Sequence, residues 1–112
     1  MLDVLAVRTG KPKIAVLGEM RELGNMSEEL HARVGAHTAA VGIDFLVGVR
    51  GAAAFMVDEA IKHGMSREAA IFVETPEQAG DKLKQIATPG AVILMKGSRG
   101  TRVELALERF LT

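Results

Sequence analysis

Two short segments hold the residue types that could do chemistry. Lys96-Gly97-Ser98-Arg99-Gly100 joins two cations, a hydroxyl and two glycines just ahead of a helical pattern. Free backbone amides, the positive end of that helix and the Arg99 guanidinium together suit a carboxylate or a phosphate. Composition supports a glycine-rich turn with solvated charges and a cap equally well. Gly18-Glu19-Met20-Arg21-Glu22-Leu23-Gly24 has three charged side chains directly after a buried apolar run and could aim Glu19 or Arg21 into a cleft. A mixed-charge surface loop with Met20 and Leu23 tucked down is the plainer reading of it.

Other chemistries lack their residues. A phosphate-binding P-loop needs lysine after its second glycine, whereas Lys96 precedes Gly97, and Gly10-Lys11-Pro12 has no hydroxyl in place. No Gly-x-Gly-x-x-Gly follows any strand, so a dinucleotide site has no support. His31 and His37 do not share a helix face, which disfavours a metal pair, and all three histidines read as surface or half-buried structural residues, with His31 able to face the loop region. Ser98 does not sit in a Gly-x-Ser-x-Gly elbow. Without cysteine there is no disulfide, thiolate nucleophile or Cys-type zinc site.

The elements that must position the two segments alternate regularly. Ile14-Ala15-Val16-Leu17, Phe45 to Val49, Ala70 to Val73 and Ala91 to Met95 are short apolar runs of the kind that form strands buried on both faces. Between them run helical patterns. The first is capped by Ser27, turns Leu30, Val34, Thr38 and Val41 inward and stops at Gly42. The second turns Met56, Val57, Ala60 and Ile61 inward and stops at Gly64. A third opens on the capping box Thr75-Pro76-Glu77-Gln78 and buries Ala79, Leu83 and Ile86. A fourth opens on Thr101-Arg102-Val103-Glu104 and turns Val103, Leu107 and Phe110 to the core. Right-handed crossovers then give an α/β fold, a mostly parallel sheet of about four strands with helices on both faces. In such sheets ligands bind beyond the carboxyl ends of the strands, where both segments fall. Met1 to Arg8 reads as a helix, so the chain starts inside a larger design.

At 112 residues, with 48% hydrophobic and 25% charged residues, the chain suits one globular domain spanning 1–112 rather than disorder. Fourteen basic and fourteen acidic residues cancel. With no basic tail, four Phe and neither Tyr nor Trp, nucleic acid is a poor partner. The apolar runs are too short to span a bilayer, and no secretory signal is evident, so a cytoplasmic protein is expected.

Lys13 to Gly24, followed by Ser27-Glu28-Glu29-Leu30-His31 and Val34-Gly35, resembles the C-terminal domain of the Mur ligase family of bacterial cell-wall synthesis. Gly42-Ile43-Asp44 and Val92 to Gly100 fit the same pattern, with Glu19 where the family more often has Asp. The resemblance covers nearly the whole chain, and the Lys-Gly-Ser-Arg-Gly loop points to the member that adds D-alanyl-D-alanine. It implies a Rossmann-like domain, lacking the family's first strand with its Asp-x-Tyr-Asn-Ala-Asn-Pro segment, from a three-domain, ATP- and Mg2+-dependent cytoplasmic amide ligase. Its substrates would be a UDP-muramoyl-tripeptide and D-Ala-D-Ala, and its partner in cis the central ATPase domain. Glu19, Met20, Arg21, Lys96, Gly97, Ser98 and Arg99 are the implied substrate- or nucleotide-binding residues. No catalytic or metal-binding residue is expected in this domain, which alone would be an inactive monomer binding no cofactor. A sister ligase adding another amino acid and a free-standing α/β binding module are the competing readings.

Overall fold

The apolar runs do become strands, and the patterns between them helices. In the computed structural model, which describes residues 12–20, 26–97, 102 and 104–111, the order is β1 (Lys13–Gly18), α1 (Ser27–Ala40), β2 (Phe45–Val49), α2 (Ala53–Lys62), β3 (Ala70–Val73), α3 (Pro76–Ile86), β4 (Val92–Lys96) and α4 (Glu104–Leu111). One sheet forms in the order β3-β2-β1-β4, with every neighbouring pair parallel. The α/β expectation holds.

β1 is central, and its side chains alternate between two cores as the pleat demands. Ala15 and Leu17 join Leu46, Ala53, Met56, Val57 and Ala60 on the face covered by α1 and α2. Ile14 and Val16 join Val47, Val49, Ala79, Leu83 and Ala106 beneath α3 and α4. Helix α1 approaches α2 at Gly35, where any Cβ would be driven into the backbone of Met56. Only glycine lets the two helices lie this close.

The capping box of α3 forms as the sequence predicts. Gln78 donates its backbone N–H to Thr75 Oγ1 at 3.2 Å and accepts the Thr75 N–H on Oε1 at 3.2 Å, with Pro76 in the first turn. Ser27 does not cap α1. Met26 occupies that position without a side-chain hydrogen bond, and the Ser27 hydroxyl lies 3.4 Å from His31 Nδ1 instead. Leu107 does not enter the core either, being 44% exposed. Ala106 and Phe110, four residues apart, hold the inward stripe of α4, which places Leu107 a third of a turn outside it. The second capping box and the Met1 to Arg8 helix lie outside the described residues.

Candidate functional site

From β1 the chain steps to β2 and then β3 on one side, and only afterwards crosses to lay β4 against the other edge of β1. The strand order therefore reverses between β1 and β4, the kind of switch point at which open α/β sheets bind ligands beyond the carboxyl ends of their strands. Leu17 pairs with Lys96, so β1 and β4 end side by side, and from there Glu19 bonds toward β2 and the start of α2 while Met20 bonds to α1. The two segments singled out by residue type thus leave one edge of the sheet, from strand ends about 4.8 Å apart. Of the seven sequence-predicted residues, Glu19, Met20, Lys96 and Gly97 are placed there. Arg21, Ser98 and Arg99 lie outside the described residues.

Glu19 reaches inward to the protein rather than only toward a cleft. Its Oε2 accepts the N–H of Ala52 at 2.8 Å, and its own N–H donates to Val49 O at 3.0 Å. Ala52 is the N-cap residue of α2 and offers no side-chain cap, and the first turn of that helix contains no acidic residue. The carboxylate from the end of β1 supplies the missing cap in trans. The next three amides, of Ala53, Ala54 and Phe55, donate to Arg50, Gly51 and Ala52 carbonyls at 3.0–3.1 Å, which completes the accounting for the helix start. Reaching this geometry requires two left-handed residues in succession, Arg50 with φ 70° and Gly51 with φ 52°. A side chain at Gly51 would also collide with the Glu19 carboxylate.

Met20 is half-buried and packs against the core between α1 and α2, so it does tuck down. Its N–H donates to His31 Nε2 at 2.9 Å. His31 is neither a surface nor a half-buried residue: it is 0% exposed, in the first turns of α1. Nδ1 lies 2.6 Å from the Ser27 carbonyl, which can only accept. Nδ1 therefore carries the proton and Nε2 keeps its lone pair for Met20, which fixes the neutral tautomer. Among the residues that shape this edge, sequence reasoning missed the role of His31 and the left-handed Arg50. A histidine one turn into the helix after a strand-end loop was the only signal.

Lys96 is exposed at the end of β4, and Gly97 follows it. Elsewhere, Arg109 on α4 donates to Asp81 on α3 at 2.7 Å, and that hydrogen bond with its Coulomb attraction holds the guanidinium pKa above its ordinary value. Among the described residues, no group of three His, Asp or Glu side chains could hold a metal ion. An open groove lined by Pro12, Asp44, Phe45, Ser66, Ala69 and Thr88 lies at the opposite end, by the amino ends of the strands. There Asp44 Oδ2 accepts the Lys13 N–H at 2.7 Å and pins the start of β1.

The family model described as "Mur ligase, glutamate ligase domain" matches residues 1–99. The chain belongs to the Mur ligase family. A UDP-N-acetylmuramoyl-tripeptide--D-alanyl-D-alanine ligase of Bacillus subtilis is 33% identical over 92 residues, covering 82% of this chain and 20% of that enzyme. The ligase of the same name from Synechocystis sp. is 51% identical over 45 residues, covering 40% of this chain and 10% of that enzyme. MurF ligase from Thermotoga maritima, solved in complex with ADP, superposes with a TM-score of 0.78 at 29% identity over 97% of this chain and 23% of its own. A MurF structure from Acinetobacter baumannii superposes with a TM-score of 0.82 at 27% identity over 99% of this chain and 24% of its own. This Mur ligase domain thus spans about a fifth to a quarter of the longer proteins that match it along most of its length. None of its described helices is long and apolar enough to cross a membrane.

Proposed function

We propose that this chain is the C-terminal domain of an ATP-dependent cytoplasmic ligase that joins D-alanyl-D-alanine to a UDP-muramoyl-tripeptide, and that its carboxyl-edge loops face the reaction centre. The observation that supports this reading most directly is that β1 and β4, from which the two segments emerge, end side by side at the switch point, with Leu17 paired to Lys96, on a chain whose relatives include two dipeptide-adding ligases. In such an enzyme ATP activates the tripeptide carboxylate, and the dipeptide amine then forms the amide bond. The domain's own part is to bind and orient. Lys96, exposed at the mouth, supplies a cation, and Gly97 lets backbone amides approach an anionic group without steric hindrance. Both fit a phosphate or the dipeptide carboxylate, and in this reading Arg21, Ser98 and Arg99 add further donors on the same two loops.

The central domain, packed against this edge in cis, is the place for the metal and the nucleotide phosphates, so the 112-residue chain alone should be an inactive monomer. The test uses the complete ligase. Phosphate release should depend on both the tripeptide and D-Ala-D-Ala, and Lys96→Ala or Arg99→Ala should raise KM for the dipeptide or for ATP. Unchanged KM values for both substrates in both variants would remove the assignment.

A further inference from the structure

We infer that His31 is a positioning residue, a buried bridge that holds Glu19-Met20, where the chain leaves β1, in a preformed arrangement for the ligand met at that end of the sheet. The inference rests on the function proposed above, but its geometric part stands apart from it. The Glu19-Met20 dipeptide is tied on three sides. Glu19 N–H bonds β2 through Val49 O, Glu19 Oε2 takes the first amide of α2, and Met20 N–H bonds α1 through His31. Each tie goes to a different element, so the direction in which the chain leaves the sheet is over-determined.

The histidine tie has a chemistry that few side chains can supply. One end of the group must donate to Ser27 O at 2.6 Å while the other accepts from Met20 N at 2.9 Å, across a rigid ring that is 0% exposed. Neutral imidazole does both at once. The ring also stands in the first turns of α1, so the bond makes the placement of Met20 dependent on where that helix begins. A leucine of similar bulk would fill the space but leave the Met20 amide without its acceptor, and the loop would be free to seek another. Because the loop would then be displaced without any reacting group being removed, the loss should fall on binding more than on turnover.

Two experiments decide it. On the 112-residue chain, nitrogen-15 NMR should show His31 as the neutral ring protonated on Nδ1 at neutral pH. His31→Leu should also speed amide exchange at Met20 by about ten-fold or more while leaving exchange in the interior of α2 unchanged. A ring protonated on Nε2, or a Met20 amide that exchanges equally fast in both chains, overturns the bridge. In the complete ligase, His31→Leu should raise KM for D-Ala-D-Ala or ATP about ten-fold with kcat within about two-fold. His31→Gln, whose Oε1 can accept from Met20, should recover most of that loss, whereas the shorter His31→Asn should not. A folded His31→Leu enzyme with wild-type KM values, or a Gln variant no better than Asn, overturns the positioning role. If the wild-type complete protein shows no dipeptide-dependent phosphate release, the functional reading fails instead, and the exchange result on the chain alone still decides the bridge.

Discussion

Replacing Glu19 by Ala removes the side-chain cap seen among the described residues at the start of α2 and should destabilise the chain measurably. Ala52 cannot cap its own helix, and the first turn has no acidic residue to compensate. Losing a side-chain N-cap costs about 1 kcal/mol, and removing a carboxylate from the positive end of a helix adds about 0.3–1 kcal/mol. The two contributions overlap in one group, and Glu19 is half-buried, so screening reduces the charge part without abolishing it. A total of about 1.5 kcal/mol follows, equivalent to a fall in melting temperature of about 6–9 °C for a domain of this size. Glu19→Gln separates the contributions, because an amide oxygen still accepts the Ala52 N–H found at 2.8 Å while the charge is gone. It should lose only about 0.5 kcal/mol, and its difference from wild type should shrink as salt is added. Thermal melts of the three chains, repeated at two salt concentrations, provide the measurement. An Ala variant as stable as wild type would refute the capping argument. A Gln variant as unstable as Ala would show that charge, not the hydrogen bond, holds the helix start.

Gly51→Ala should cost about 2 kcal/mol, combining a left-handed backbone with displacement of the Glu19 carboxylate, and the cost should fall to about 1 kcal/mol in a Glu19→Ala background. Urea titration of the four chains of that cycle measures the coupling, and strict additivity would count against the contact. Gly35→Ala, which drives a methyl group into the Met56 backbone, should lower stability by about 1–2 kcal/mol after the better helix propensity of alanine is credited, read as a lower urea midpoint with an unchanged slope. Thr75→Ala breaks the capping box of α3 and should cost about 1 kcal/mol by the same titration.

Much of the fold was legible because each strand is a short apolar run and α2 and α3 each show one apolar stripe, whereas α1 buries His31, Gly35 and Thr38 rather than an apolar stripe. The capping box at Thr75 could be read directly, since both of its partners lie within four residues. Strand order was harder. Right-handed crossovers limit the topologies, yet nothing local to Val92–Lys96 says that β4 returns to the far side of β1, and that return is what creates the switch point. Leu107 misled because it lies within one turn of the true inward positions on a helix of only eight residues, where Ala106 packs against the close approach of α3 at Gly80. The roles of Glu19 and His31 were hidden for another reason. The acceptor and donor that define them are backbone groups of ordinary residues, Ala52 lying 33 positions from Glu19 and Met20 lying 11 from His31. No side-chain pattern advertises a backbone partner so far away in the sequence.

An acidic residue at an edge read as anion-binding is a conflict on charge alone, since a free carboxylate a few ångströms from a phosphate would repel it. The geometry at Glu19 removes the conflict. Its carboxylate lies against the first amide of α2, where the helix dipole presents about half a positive charge, so its field is largely met locally rather than projected beyond the strand ends. Lys96, on the neighbouring strand and exposed, is then a described charge at that edge still facing solvent. A zero net charge over the whole chain is compatible with this because the acidic group at the edge is spent on the fold. An aspartate at this position would be shorter by one methylene, about 1.5 Å, and could not span to the Ala52 amide unless the Arg50-Gly51 turn moved toward it. The length of Glu19 and the paired left-handed turn are therefore two halves of one local solution, which fixes the chain where it leaves β1.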